Sequence, residues 1–465
     1  MDAAIPSPGC ALNEDAVADR SPDPAPWFKR RGYPHFDRPL DLEQAQRLVM
    51  DPGAVAERGF LPFLAFDIEQ RRYKKCADGT RRMDVKRRPV AFASHSDAAI
   101  FSYYAYLLKL PYEEELRNRG LTENVIAYRR FVPPKCNIHF AHEAIAEIER
   151  RGDCEAIALD IEKFFDTIPH DALKRLWGHV LGTDTLPPDH YAVFKAITKW
   201  AKADRSEVFK TLGIGRRQAE NWRQPATLCT PREFREKIRG GELISVGYMI
   251  KGGRPVGIPQ GSPISAMLSN LVMLEADSAV AEEAKERGVY YRRYSDDILL
   301  VGNPDDVTCV EKTFKAAMAT LGLDINDDKT KRARFTPDGD GLLNASEPLQ
   351  YLGFVFTGKR VLVRPQTIAK FIQRMKRSVR SASRAATAAG RQGRSGKIRR
   401  QELYARYSHL GPTQAMLKRQ DSPTLRNNFY TYAVRAAREM QRSEIKRQLR
   451  KHWPRLNAEI ELAGG

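Results

Sequence analysis

Apolar positions along this chain fall into stretches of two periods. "DAAIFSYYAYLLKL" (97–110) predicts a helix. "FVPPKCNIHFAHEAIAEIERRG" turns at Pro133 and Pro134, then enters a helix that ends near Gly152. "CEAIALDIEKFFDTI" reads as a buried strand interrupted by Asp160 and Asp166. In "PHDALKRLWGHVLG", Leu173, Leu176, Trp177, Val180 and Leu181 recur at helical spacing. Residues 201–250 are polar, show no clear period and read as an insertion. "IPQGSPISAMLSNLVMLEADSAVAEEAKERG" predicts one long helix with Ser262 as cap, Pro263 in its first turn and Gly288 at its end.

"VYYRRYSDDILLVG" then predicts a hairpin with Ser295 and Asp296 at its tip. A helix follows, with Val307, Val310, Phe314, Ala317 and Leu321 on one face. "PLQYLGFVFTGKRVLVRP" predicts a second hairpin around Gly358 and Lys359. The tail opens with Ile368, Phe371, Ile372, Met375 and Val379 on one helical face and basic residues around the rest. Strands alternate with helices, but two strands form a tight hairpin. That favours an α+β class with an antiparallel sheet over a doubly wound fold. The expected divisions are an irregular segment at 1–26, a mixed basic region at 27–150, a central unit at 151–360 and a helical module at 361–465.

Charge sharpens that division. The chain has 465 residues, enough for two or three domains, and a formal net charge of +19. From Arg364 onward 24 Lys and Arg face six Asp and Glu, an excess of 18, so one basic module is appended to a nearly neutral body. Such a module implies a polyanionic partner. No apolar run reaches transmembrane length, and the N-terminus lacks the basic-then-apolar order of a signal peptide. Cys10, Cys76, Cys136, Cys154, Cys229 and Cys309 are scattered without a C-x-x-C pair. A disulfide framework or zinc site is not expected, and a reducing cytoplasm fits.

Asp160 and the pair Asp296–Asp297 lie far apart in sequence, each on an apolar strand. A lone carboxylate there is costly. Two or three that converge can be held by Mg²⁺, with Mn²⁺ as a substitute. Two metals roughly 4 Å apart can clamp the attacking and leaving oxygens of a phosphoryl transfer. The plainer reading makes Asp296 a turn residue and Asp297 a solvated one. Asp305–Asp306 and Asp327–Asp328 are read that way, as cap and turn acids. The flanks "RRY" and "ILLV" set Asp296–Asp297 apart, because they bury the hairpin.

Five stretches in order carry a resemblance. "LDIEKFFDTI", "GIPQGSPISAMLSNL", "RYSDDILLV", "GLDINDDKTK" and "YLGFVF" resemble successive motifs of reverse transcriptases. The resemblance implies a right-hand polymerase fold, with fingers in 27–150, an antiparallel palm in 151–360 and a basic thumb in 361–465. It implies that Asp160, Asp296 and Asp297 bind metal, with the carbonyl of Ile161 adding an oxygen. Phe165 takes the place of the family's steric gate, which favours dNTPs over rNTPs. Strand alternation would turn Phe165 to the site and Phe164 to the core. Gln260 and Gly261 would line the nucleotide. Lys329 would protonate or hold the leaving pyrophosphate. Arg88 or Lys86, and Arg129 or Arg130, are candidates for the triphosphate. Lys370, Arg374, Arg377 and Arg380 would track a phosphate backbone. Tyr404, Tyr407, Phe429, Tyr430 and Tyr432 are offered for stacking on bases, at least half of them as core.

Group II intron and retron enzymes share these motifs but look more distant. "NIHFAHEAIAEIERRGDCEAIALDIEKFFD" and "REFREKIRGGELISVGYMIKGGRPVGIPQGSP" are most similar to bacterial defence-associated reverse transcriptases, formerly an unknown group, that work with a neighbouring non-coding RNA. That likeness implies phage defence, an RNA template, dNTP substrates and a cDNA product. Two other readings stay open: an RNA-binding maturase-like protein, and a template-independent DNA polymerase.

Overall fold

The computed structural model describes residues 25–75, 79–215, 218, 222, 227–393, 395–411 and 428–464. Most of the 1–26 segment, with Cys10 and Cys76, lies outside them. At the centre is a five-stranded sheet. Its strands are β3 (Cys154–Asp160), β8 (Tyr290–Tyr294), β9 (Asp297–Gly302), β10 (Lys331–Pro337) and β11 (Leu343–Ala345), in the order β11-β10-β3-β9-β8. Every neighbouring pair is antiparallel. The α+β class is as expected.

The unbroken apolar run of β9 has a simple cause: the strand is covered on both faces. Ile298 and Leu300 pack into one core with Ile157 and Leu159 of β3 and the helices His170–Leu181, Ser265–Val272 and Pro304–Leu321. Leu299 and Val301 point the other way. There, with Ala156 of β3, they meet helix Asn137–Arg151 and a small sheet of β12 (Leu349–Tyr351), β13 (Phe354–Phe356) and β14 (Val361–Val363). The hairpin expected around Gly358 joins β13 to β14. A Cβ at Gly358 would sit 2.3 Å from the Leu343 carbonyl oxygen, and its φ is 81°, so glycine is required at this close approach.

Several expectations are corrected. The mixed region before residue 93 contains a long antiparallel ribbon, β1 (Phe63–Lys75) with β2 (Arg81–Phe92). Basic residues crowd its sequence and hid the period, although its base buries Phe63, Leu64, Val90 and Ala91. The stretch 201–250 is not an irregular insertion. β4 (Ala201–Asp204) pairs in parallel with β1 and antiparallel with β5 (Ile244–Val246), so this stretch completes a sheet of order β2-β1-β4-β5. A second small hairpin, β6 (Met249–Lys251) with β7 (Arg254–Val256), follows. The long helix after Ser262 is two helices, Ser265–Val272 and Leu274–Glu286. Ser262 does not cap with its side chain, whose buried hydroxyl has no partner; its carbonyl accepts from Ser265 N–H at 3.3 Å. Gly288 does follow the second helix with φ 63°.

The tail forms helix Pro365–Gly390, which buries Phe371, Met375 and Val379 as the periodicity requires. It packs on the last helix, His452–Gly464, where Lys376 pairs with Glu459. The aromatics offered for base stacking are half-buried and pack against other rings. Tyr407 and Phe429 pack on Phe371, Tyr404 on Trp453, Tyr430 on His452 and Tyr432 on Phe354. Among the described residues, no helix is long and apolar enough to cross a membrane.

Candidate active site

β3 ends at Asp160 and β9 begins at Asp297, and these two residues face each other across the ladder. Directly opposed residues project from the same face of a sheet, so the carboxylates are neighbours despite 136 intervening residues in sequence. Asp296 sits in the two-residue turn between β8 and β9, and Ser295 takes φ 61° to close it. The Ile161 N–H donates to the Asp296 carbonyl at 3.3 Å, which ties the turn to the end of β3.

Solvent reaches the Asp297 side chain, while Asp296 and Asp160 are half-buried. The three stand together where β3 ends and β9 begins. Burial raises the Asp296 carboxyl above its ordinary range and the charge of Asp160 raises it further, against Lys329 and Arg88. The Asp297 carboxyl is pushed up to about 7, by burial first and then by Asp296 and Asp160, with Lys329 and Arg364 opposing. Like charges are being held together here.

Lys329 is delivered by a backbone clamp. The Glu162 N–H donates to the Asp324 carbonyl and the Asn326 N–H to the Asp160 carbonyl, both at 2.8 Å, so the segment after Leu323 lies along the end of β3. The Lys329 ammonium consequently hydrogen-bonds the Asp160 carboxylate.

Phe164 is buried and Phe165 only partly so, the expected division. The reason differs from strand alternation. The strand has already ended, and both rings sit on a short helix, Phe164–Thr167, entered through Lys163 at φ 46°. The Pro-Gln-Gly loop is sewn to this helix: Ile258 N–H donates to Phe165 O and Gly257 N–H to Ile168 O, each at 2.8 Å. Its other side meets β2, where Ala91 N–H donates to Gln260 O at 2.9 Å. Gly261 has φ 112°, and a Cβ there would lie 2.9 Å from the Ala91 oxygen, so no larger residue fits. Arg88, exposed on the same strand, acts electrostatically on Asp296. Phe165, Gln260, Gly261 and Arg88 are thus brought to one cleft.

Arg129 is a correction. Its guanidinium is almost fully covered, paired with Glu113 at 2.7 Å and donating to the carbonyls of Thr122 and Val125 at 2.6 and 2.7 Å. It braces a loop, with four of its five N–H groups engaged in Glu113 and these two carbonyls. Its exposed neighbour Arg130 is the accessible one. Lys370, Arg374, Arg377 and Arg380 line the solvent face of helix Pro365–Gly390. Sequence reasoning missed Arg364 and Tyr128. The Arg364 charge acts on Asp297. The Tyr128 hydroxyl hydrogen-bonds Ser295 Oγ at 3.2 Å. Neither carries a spacing signal, because both reach the site through long-range packing.

Among the described residues, no three His, Cys, Asp or Glu side chains converge tightly enough to form a ready-made metal cluster. The chemistry of the donors nevertheless fits hard divalent cations: carboxylate oxygens only, with two carboxyls that resist ionisation unless a positive charge is added. Lys329 on Asp160 is the cation that stands there now. Asp160, Asp296, Asp297 and the Ile161 carbonyl are the groups that would hold Mg²⁺ or Mn²⁺.

These charges carry a stability consequence. The folded chain holds the Asp297 proton more tightly than the unfolded chain does, so this group's contribution is lost as pH rises from the ordinary carboxylate range through about 7. In metal-free buffer the thermal midpoint of the parent should fall more steeply between pH 5 and 8 than that of Asp297→Asn. Equal pH slopes in a thermal-shift series would contradict the assigned repulsion.

Residues 254–356 match the family described as Reverse transcriptase (RNA-dependent DNA polymerase). This stretch contains the Pro-Gln-Gly loop and the Asp296–Asp297 hairpin, but not Asp160. The Retron Mx65 reverse transcriptase of Myxococcus xanthus is 37% identical over 96 residues, which are 20% of this chain and 22% of the relative. The chain therefore spans about a fifth of that relative's length. Among solved structures, an apo telomerase from Candida tropicalis, truncated from its C-terminal domain, aligns with a TM-score of 0.41 at 10% identity, over 65% of this chain and 57% of that one. A telomerase from Candida albicans in complex with a fragment of telomeric RNA aligns with a TM-score of 0.39 at 9% identity, over 73% and 53%. The sequence match to the reverse transcriptase family and an antiparallel sheet carrying the carboxylates are consistent with a right-hand polymerase fold.

Proposed function

We propose that the chain is an RNA-directed DNA polymerase. The observation that carries this reading is the in-register opposition of Asp160 and Asp297, with Asp296 in the adjoining turn. A purely RNA-binding protein gains nothing from clustering carboxylates against their own repulsion, which favours an enzyme over the maturase-like alternative. Bound divalent cations would supply Lewis-acid stabilisation of the attacking and leaving oxygens. The chain's own residues do the rest. Gln260 and Gly261 bring backbone against the incoming nucleotide. The Phe165 ring lies under the sugar and clashes with a 2′-hydroxyl. Arg88, with Arg130 in place of Arg129, attracts the triphosphate. The primer 3′-hydroxyl gives up its proton to solvent as its oxygen bonds to the α-phosphorus, the bond to pyrophosphate breaks, and Lys329 gives a proton to the leaving group. The basic C-terminal module acts as a thumb on the nucleic-acid backbone.

The finer reading is a bacterial enzyme of the defence-associated kind, copying a non-coding RNA into cDNA within the cytoplasm. Its support is the likeness of the segments before Asp160 and before Gly257. Sequencing the nucleic acid that copurifies with the protein tests it. A defined, recurrent RNA with matching cDNA is expected, and random cellular RNA would remove it.

Three outcomes test the activity. Asp160→Asn and Asp296→Asn should each abolish primer extension while leaving RNA binding near the parent's. Extension at the parental rate by either variant would refute the carboxylate assignment. Phe165→Ala should admit rNTPs far more readily, whereas Phe164→Ala should mainly lower stability, by about 3–5 kcal/mol for a fully buried ring. Unchanged sugar discrimination in Phe165→Ala would remove the gate. For the thumb, log K should fall with log salt by about 0.7 per phosphate neutralised on a single strand. Neutralising Lys370, Arg374 and Arg377 together should flatten that slope by about two and shorten products more than it slows saturated incorporation. A triple variant with the parental slope and product length would leave these residues as solvation only.

A further inference from the structure

Beneath the catalytic turn lies a polar network that the reaction as described does not use. Arg293 and Asp277 are both completely buried. The guanidinium donates through Nε and Nη2 to the two Asp277 oxygens at 2.7 and 2.6 Å. Its Nη1 donates to Asn270 Oδ1 at 3.1 Å and to the Ser295 carbonyl at 3.2 Å. That carbonyl belongs to the peptide that joins Ser295 to Asp296. Tyr291 Oη supplies Asp277 with a further bond at 2.5 Å. A buried pair of this quality costs several kcal/mol to desolvate, and stability alone is weak grounds for it.

The network also grips a second segment. The turn-rich segment Asn124–Tyr128 meets β8 at a single parallel bridge, Val125 with Arg293. Arg293 N–H donates to the Asn124 carbonyl at 2.7 Å and Ile126 N–H to the Arg293 carbonyl at 3.0 Å. Asn270 Nδ2 holds the Ala127 carbonyl at 2.9 Å. On the far side, the Arg129 fork fixes the carbonyls of Thr122 and Val125. Pinned on both flanks, Tyr128 is forced to φ 61°, a left-handed conformation that a tyrosine adopts only under constraint. Its ring is 40% exposed, at the cleft, and its hydroxyl meets Ser295 Oγ at 3.2 Å. Ser295 itself is at φ 61°, so two non-glycine residues in this backbone region touch each other at the turn that carries Asp296.

We propose that segment 124–129 is a brace for the catalytic turn, and that Tyr128 and Arg293 are positioning residues that fix Asp296 through Ser295, Tyr128 from its side chain and Arg293 from its carbonyl. The brace hangs on helix His95–Asn118 through Glu113, so it links the position of that helix to the geometry of the carboxylates. Neither residue touches substrate in this account. Their effect is on the aim of Asp296, which must be held to within about 0.5 Å for catalysis.

This inference rests on the polymerase reading, and a double-mutant cycle separates the two. Tyr128→Phe removes one hydroxyl and Ser295→Ala removes its acceptor. On a primed RNA template each should lower kcat by about three- to tenfold, the worth of one hydrogen bond. KM for dNTP should change by less than about twofold, and the thermal midpoint should not move. The double variant should be no slower than the worse single, because both delete the same contact. Arg293→Lys keeps a cation against Asp277 but loses the fork, and should lower kcat further than Tyr128→Phe. If Arg293→Lys does not fold, the Tyr128–Ser295 cycle still decides. An inactive parent would overturn the polymerase reading and this inference with it. An active parent with Tyr128→Phe at parental kcat, with additive single effects, or with the loss confined to KM would overturn the brace alone.

Discussion

Three carboxylates stand at one end of a sheet that is covered on both faces, and their burial, sharpened by their mutual repulsion, is the constraint around which the rest is arranged. Left alone, such a group would protonate or splay apart. Here β3 and β9 fix Asp160 opposite Asp297 through a ladder of paired residues, and apolar packing on both faces holds that ladder in register. A slip of one residue would move every side chain of β9 to the wrong core. The sheet therefore gains its rigidity from the same apolar run that makes its acidic end costly. Cations answer the charge: Lys329 on Asp160, Arg88 acting on Asp296 and Arg364 on Asp297. They come from three separate parts of the chain.

Much of this was legible in the order of the residues. The Ser295–Asp296 tip, the helices around it and the amphipathic tail follow from local period and turn chemistry, which act over a few residues. Phe165 against Phe164 was legible only in outcome. The rings divide because a short helix starts after Lys163, a local event that an apolar run of strand type conceals. The β1–β2 ribbon was missed because basic residues crowd its sequence, although its base is buried at Phe63, Leu64, Val90 and Ala91. The joining of 201–204 to β1 rests on a parallel pairing of three residues, too short to leave a pattern.

Charge was the least legible property at the level of single residues. Two adjacent arginines, Arg129 and Arg130, differ completely in fate. One is consumed by Glu113 and two carbonyls, while the other faces solvent. The tyrosines of the tail looked like stacking platforms because they alternate with cations, yet each packs against another ring of its own module. Interleaving in sequence becomes segregation in space once a helix turns its apolar face inward. The basic residues Arg374, Arg377 and Arg380 remain outside, facing solvent.

The central claim is that these carboxylates join nucleotides under the direction of an RNA strand. The most direct measurement offers the purified protein a poly(rA) template with an oligo(dT) primer and each of the four dNTPs separately, with and without Mg²⁺. The account predicts extension with dTTP alone, and only when the metal is present. Extension by all four dNTPs alike would mean that no template is being read, and no extension with any of them would contradict the claim outright.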